Sequence, residues 1–489
     1  MRAYIESLEK LSRTQLMLLL ARQHQAETEG LAVVGMSCRL PGGIGTPADL
    51  WAMVDEGRVL ATEQTGVPTD SLGRPRWNLA APDIAPYAAA LRQGGYLTDI
   101  DLFDAERFGI SEEEARCLDP QQRLLLTETS RALEDAGLTD PGGLCVGVFV
   151  SVTTPEYGLA GIRNGATADR MSAPMATGTV VSGAAGRISV GLGLNGPALT
   201  VDTACSSTLV AVHLAGAALR RKECDVAIVG VSHLLLSPVT TAVFAKAGML
   251  SATGRCRPFT ARADGYVRAE GSVVLVLKRE QDARADEDTP YALIRSSAIR
   301  QHGRRSTMSA PSSAGQQRAI RDCLTAAGVD PAQVGYVEAH GSADKLADAV
   351  EIDAIATAYE RNSTDSPPLY VGSGKANIGY LETASGAVGL VRAILALRHR
   401  TVPAQPDFTD PDPAVFGRPT SVTVPTKALP WPSEEHRLAG VNAFGFTGVN
   451  AHVLIEAAAT PRPGPPPGLL PGPTPSTGGH HWLDSYTWH

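Results

Sequence analysis

An α/β fold is predicted by three features of the 489-residue sequence: β-prone apolar runs recur along it, stretches with helical spacing separate them, and most runs are continuously apolar. Continuous rather than alternating runs belong to strands covered on both faces, so helices should flank the sheets on either side. Ten runs read as strands: 31–35, 146–152, 199–203, 226–231, 273–277, 292–299, 334–338, 369–372, 438–441 and 453–456. The stretch after the third, Ser207 to Arg221 (STLVAVHLAGAALRR), has small and apolar residues at helical spacing and opens with hydroxyl residues suited to capping.

The two ends read differently. Between Tyr4 and His24, Leu8, Leu11, Leu16 and Leu19 fall near one helical face, which predicts an amphipathic lead-in helix or a cap on the main body. From Thr460 to Gly479 proline and glycine dominate, so neither a helix nor a central strand can persist and a semi-extended linker is expected. His480 to His489 (HHWLDSYTWH) reads as an aromatic packing strip, and its adjacent histidines lack the neighbours a metal site needs.

Composition narrows the function classes. At 43% hydrophobic and 5% aromatic the chain can bury a large core, and its length allows two or three domains. A formal charge of -8 without a basic block argues against a nucleic-acid partner. Seven cysteines, at 38, 117, 145, 205, 224, 256 and 323, follow neither metal spacing nor a paired framework, which suits a reducing cytoplasm and predicts no metal. No apolar run reaches the length of a membrane span, and the first residues are acidic where a signal peptide would be basic.

Cys205 is the candidate nucleophile, within Val201-Asp202-Thr203-Ala204-Cys205-Ser206-Ser207. It lies between a strand-like and a helix-like run, at a helix N-terminus. Free backbone N–H groups and the helix dipole there favour thiolate over thiol and can hold the oxyanion of a tetrahedral intermediate.

The segment VDTACSSTLVAVHLA resembles the active-site segment of β-ketoacyl synthases of the modular polyketide type, within the thiolase superfamily. The likeness continues, in order and spacing, through Gly30 to Gly43, Phe103 to Gly137, Arg257 to Gly271, Val337 to Gly341 (VEAHG), Lys375 to Gly379 (KANIG) and Phe444 to His452 (FGFTGVNAH). The resemblance implies a thiolase-like five-layer αβαβα fold of two similar halves. These would be 29–285 with the nucleophile and 286–459, preceded by a docking-like helix (1–28) and followed by linker and tail (460–489). It also implies a homodimer without a bound cofactor. Its substrate would arrive on the phosphopantetheine arm of an acyl or peptidyl carrier protein.

Family members load an acyl group onto the cysteine, decarboxylate a malonyl-type extender, and let the enolate attack. By resemblance His340 takes the place of the first of two family histidines. Lys375 matches the lysine that orients it together with a carboxylate, here Glu382, and the N–H groups of Cys205 and Phe446 form the oxyanion hole. Thr447 stands where the Gly-Phe-Gly-Gly turn has glycine. The second histidine, which donates to the thioester oxygen as carbon dioxide leaves, is replaced by Tyr380. Beside His340, Asp344 replaces a threonine and puts an anion near the extender carboxylate, with Lys345 offsetting part of it. Acyl loading is therefore expected without efficient decarboxylation.

The reading that follows is intramolecular cyclisation with release. Neutral His340, or a water that it orders, removes an acidic α proton, the enolate attacks an internal carbonyl, and the alkoxide attacks the Cys205 thioester to give a lactone. Tyr380 polarises the carbonyl or holds the alkoxide. In this respect the chain resembles the free-standing ketosynthase-like bicyclases of salinosporamide-type β-lactone pathways. Three rivals stand beside it: acyl transfer between carriers, ordinary elongation, and the role of a non-catalytic partner protein. The complete cysteine motif counts against the last of these. By analogy the acyl pocket is lined around Met171 to Thr179 and Phe244 to Leu250.

Overall fold

The computed structural model describes residues 11–60, 66–163, 172–361, 367–417, 421–459 and 479–482. Its main strands are β1 (Leu31–Arg39), β2 (Val146–Val152), β3 (Ala198–Thr200), β4 (Val226–His233) and β5 (Gly271–Arg279), then β6 (Ala292–Gln301), β7 (Val334–Glu338), β8 (Leu369–Gly372), β9 (Leu438–Phe444) and β10 (Val449–Ala457). Six helices matter for the layers: α1 (Arg13–Thr28), α2 (Pro120–Asp135), α3 (Ser207–Arg220), α4 (Ser313–Ala327), α5 (Lys345–Ala358) and α6 (Ser385–His399).

The strands fall into two sets with one plan. The first runs β3-β2-β4-β5-β1 and the second β8-β7-β9-β10-β6, so counted within its half each has the order 3-2-4-5-1. In both, the first three neighbours are parallel and the last two pairings antiparallel. That repetition is the two-halved architecture the resemblance implied. The halves are nevertheless joined: β1 pairs antiparallel with β6 through Leu31–Ile294, Ala32–Leu293 and Val33–Ala292, so hydrogen bonding is continuous from one half to the other.

Helices α3 and α6 lie between the two sets. α3 packs on β2 and β4, α6 packs on β9, and the two touch each other; α2 covers β1 and β5 from outside, while α4 covers β6 and packs on α5. Every residue of α6 from Ser385 to Leu397 is buried, as a helix without a polar face must be. Gly386 permits the close approach: a Cβ there would stand 3.1 Å from Leu209 of α3. All of β4 and β5 is buried too, which is why those strands read as continuous apolar runs.

Two expectations are corrected. β3 ends at Thr200 rather than 203, because the residues after it are folded into a tight turn. α1 is not the single-faced helix predicted between Tyr4 and His24. Leu16 is half-buried, but Met17, Leu18, Leu19 and Leu20 are all exposed, so its apolar residues surround the axis; Leu8 lies outside the described residues. The tail docks on the body as a short strand, Gly479–His480 pairing with Leu102–Phe103. Buried Arg123 donates to the His481 carbonyl (2.6 Å), and Trp482 packs against Tyr157. His480 pairs with Asp101 (2.9 Å). Among the described residues no helix is long and apolar enough to cross a membrane.

Candidate active site

Cys205 stands on an elbow between β3 and α3. The chain reverses there through Ala204, which adopts φ +56°, a left-handed conformation that costs an L-residue about 1–2 kcal/mol. Side chains hold the bend: Asp202 accepts from the N–H of Ala204 (2.9 Å), and the Ser207 hydroxyl accepts from Thr203 N–H (2.8 Å) and donates to the Ala204 carbonyl (2.6 Å). Ser206 donates to the Thr203 carbonyl (2.9 Å). The hydroxyls expected to cap α3 thus bind the elbow instead, and no side chain caps the helix.

The thiol lies at the wall of a cavity of about 1050 Å³, with His340, Tyr380, Glu382, Asp344 and Phe446 among its lining. Burial pushes the Cys205 thiol up to about 11, although the nearby Tyr380 hydroxyl, the Lys375 charge and the Phe446 backbone act the other way. Desolvation outweighs the helix N-terminus, so the resting sulfur is a thiol and not the thiolate expected from its position.

His340 follows β7 and is buried. Its Nδ1 accepts from the N–H of Phe444 (3.3 Å), which leaves the proton of a neutral ring on Nε2, 3.2 Å from the Tyr380 hydroxyl. Burial, and then the Lys375 charge, hold the imidazole well below its ordinary value, so it stays neutral. The resting ring therefore presents a donor to the cavity, not the base that the sequence suggested. Its backbone is fixed by Glu351, which accepts from the N–H groups of His340 and Gly341 (2.7 Å each), and by Lys375, whose ammonium donates to the His340 carbonyl.

Tyr380 is held from several sides. Its backbone bonds to Val267 (2.7 Å) and Ala269 (3.0 Å), its ring meets Tyr266 and His340 edge-on at 4.9 and 5.5 Å, and the Lys375 ammonium lies 5.0 Å from its centroid. Glu382 is not the partner of Lys375. It forms a two-pronged pair with Arg268 (2.5 and 3.1 Å) and lies 3.7 Å from His233. Burial is the largest influence on Glu382, yet Arg268 and His233 win and keep it below the usual carboxylate range.

The Phe444-to-Asn450 turn closes the site. Gly445 and Gly448 fold it through two 2.8 Å backbone bonds, and a Cβ on Gly445 would collide with the Thr203 carbonyl, so only glycine lets the turn reach the elbow. This sets Phe446 on the same cavity wall as Cys205. Asp344 departs from expectation: it is exposed on the rim and N-caps α5, accepting from Ala347 N–H (2.8 Å). Phe244 and Met249 line the cavity as predicted, whereas Ser172 to Thr179 do not, and Met171 lies outside the described residues.

Glu351, Phe444, Arg268 and Tyr266 escaped the sequence reading. Each acts on a named residue through backbone contacts or across the fold, and only Glu351, eleven positions after His340, carried a local signal. No group of three or more His, Cys, Asp or Glu suited to a metal occurs among the described residues.

Comparison with known proteins agrees with this architecture. Residues 28–283 match the β-ketoacyl synthase N-terminal domain, 291–409 its C-terminal domain, and 411–475 the ketoacyl-synthetase C-terminal extension. The chain is 43% identical over 451 residues to one component of the phenolphthiocerol/phthiocerol polyketide synthase of Mycobacterium tuberculosis, covering 91% of itself and 23% of that protein. It is 41% identical over 456 residues to erythronolide synthase EryA3 of Saccharopolyspora erythraea, covering 92% of itself and 14% of the relative. The chain thus spans less than a quarter of these curated relatives. Among solved structures it resembles the ketosynthase from module 6 of the bacillaene synthase of Bacillus subtilis 168, with a TM-score of 0.78, 35% identity and coverage of 88% and 73%. The oxazolomycin ketosynthase domain of Streptomyces albus JA3453 gives 0.77, 31%, 89% and 75%. A duplicated 3-2-4-5-1 sheet and family matches through both halves lead to one assignment: the chain belongs to the β-ketoacyl synthase family, as a ketosynthase of the modular polyketide synthase type.

Proposed function

We propose that this ketosynthase accepts an acyl chain from the phosphopantetheine thioester of an acyl or peptidyl carrier protein onto Cys205 and does not extend it. It then closes the chain into a ring and releases it as a lactone. The observation that carries the reading is Tyr380, whose hydroxyl meets both Cys205 and His340 Nε2 where a second imidazole would otherwise donate. The phenol reaches farther than an imidazole and its oxygen already accepts from His340 Nε2, and loss of one well-placed donor to an enolate oxygen costs on the order of 3 kcal/mol, a hundredfold or more in rate.

Capture has what it needs: a thiol facing a large cavity, with the N–H groups of Cys205 and Phe446 for the oxyanion. Once the sulfur is acylated, the Tyr380 O–H, held by the His340 Nε2–H, is a neutral donor that can polarise a carbonyl of the bound chain. An acidic α proton leaves to water in the cavity, the enolate attacks the polarised carbonyl, and the alkoxide attacks the thioester. The lactone departs, and Cys205 regains a proton.

The test supplies purified full-length protein with an acyl-loaded carrier and isotopically labelled malonyl carrier. The reading expects an acyl adduct on Cys205 by intact-protein mass, no label released as bicarbonate, and a product lacking a ketide unit. Tyr380→His is expected to raise bicarbonate release roughly a hundredfold. An adduct that grows by a ketide unit in the unmodified protein would sink the proposal.

A further inference from the structure

Acyl loading has a proton problem in this site. The cysteine must lose a proton as its sulfur attacks, and the departing pantetheine sulfur must gain one. The neighbouring imidazole cannot broker the exchange at rest. Its Nδ1 is taken by the Phe444 N–H and its Nε2 already carries a proton. Lys375 is turned toward the His340 carbonyl.

One group is shared between the two. The Tyr380 hydroxyl faces the same cavity as Cys205, Tyr380 packs with Cys205 in one small cluster that also holds Tyr266, Cys256 and Ala343, and its oxygen accepts from His340 Nε2. A phenol oxygen has two lone pairs and one proton. The His340 Nε2–H fills one lone pair, which leaves one for an incoming proton and the O–H to give away. The ring cannot swing out of register, because its backbone is bonded on both sides to the 267–269 segment and its edge is set against Tyr266.

We propose that the Tyr380 hydroxyl is the proton carrier of acyl loading: it takes the Cys205 thiol proton on its free lone pair while its own proton passes to the departing pantetheine sulfur. The inference rests on the reading that Cys205 is acylated from a thioester. The bond from Cys205 Sγ to the acyl carbon forms and the bond from that carbon to the pantetheine sulfur breaks. One thiol is consumed and one appears, with no outside acid or base. Tyr380 is neutral before and after, and His340 Nε2–H stays in place and holds its oxygen. Tyr380 is thus a catalytic residue for capture, besides any part it has in later steps.

The distinguishing experiment varies the leaving group. Full-length protein and its Tyr380→Phe and Tyr380→His variants are given one acyl group as either a pantetheine thioester or a thiophenol ester. Single-turnover loading of Cys205 is followed by intact-protein mass. An alkyl thiolate needs a proton to leave, whereas an aryl thiolate leaves without one. Tyr380→Phe is expected to slow pantetheine loading by roughly a hundredfold and thiophenol loading by much less, because with the aryl ester only the acceptance of the Cys205 proton is lost. Tyr380→His, which keeps a donor and an acceptor, is expected to recover most of the pantetheine rate. Equal slowing with both esters would overturn the relay while leaving acyl capture intact, because a merely structural ring would affect both alike. No adduct on the unmodified protein with either ester would overturn acyl capture itself. Should the Phe variant not fold, the ratio between the two esters in a Tyr380→Leu variant, which likewise lacks a proton carrier, decides the same question.

Discussion

Two connections occupy equivalent places in the two halves, each leading from the third strand of its half into a buried helix, and they are built in opposite ways. The first, residues 201–206 before α3, is a tight elbow tied by its own aspartate and serines, and it displays one thiol. The second, residues 373–384 before α6, is twice as long, contains the one-turn helix Lys375–Ile378, and displays Lys375, Tyr380 and Glu382. It is held from outside, by Arg268 and the 267–269 segment. Both contain a non-glycine residue with positive φ near their ends, Ala204 at +56° and Glu382 at +45°, and Thr208 of α3 donates to the Thr383 carbonyl (2.6 Å), locking one to the other. Duplication supplied two similar scaffolds; the chemistry is written in the lengths and anchors of these connections. Strain of this kind persists only where the surroundings overdetermine it.

The largest expected effect concerns the first connection. With its thiol pushed up to about 11, Cys205 should be alkylated by iodoacetamide about tenfold faster per pH unit, a span of roughly a thousandfold between pH 7 and 10. The sign follows from burial, which disfavours the anion, so reactivity grows as pH rises toward that value. A rate already flat above pH 7, read by peptide mass at Cys205, would mean that the helix N-terminus outweighs desolvation after all.

That contest also marks where sequence reading stopped. The strand runs, the elbow and the glycine turn were legible because they depend on neighbours along the chain: apolar runs, a turn signal, Gly445 and Gly448. Cys205 was legible at the strand-to-helix junction, and the positions of His340, Lys375 and Tyr380 through the resemblance to family motifs. Their states were not. Whether a helix end ionises a thiol depends on how much protein covers it, and which tautomer His340 adopts depends on Phe444, more than a hundred residues away. The pairing of Glu382 with Arg268 is likewise a product of tertiary contact, and the lysine nearer in sequence was the wrong partner.

Breaking the external anchor should show how far the second connection depends on it. Arg268→Ala leaves the Glu382 carboxylate beside a buried histidine without its counter-charge, which is expected to cost about 3–5 kcal/mol in urea unfolding. Because the first connection carries its own ties, alkylation of Cys205 by a small reagent should survive under conditions where the variant remains folded, while acyl loading falls. If both reactions fall together, the two connections are one unit and the contrast between them is misplaced.

The smallest effect separates two explanations for poor decarboxylation. The sequence placed the Asp344 charge against the extender carboxylate, but the side chain is exposed on the rim and spends one oxygen capping α5, where water and salt screen it. Asp344→Ala should therefore cost about 1 kcal/mol of stability through the lost cap, and Asp344→Asn, which can still accept from Ala347 N–H, close to none. Neither should raise release of labelled bicarbonate from malonyl carrier, whereas Tyr380→His should. If Asp344→Asn alone restores decarboxylation, the barrier lies in the charge at the rim, and the second connection is already competent for the step that its tyrosine is held here to block.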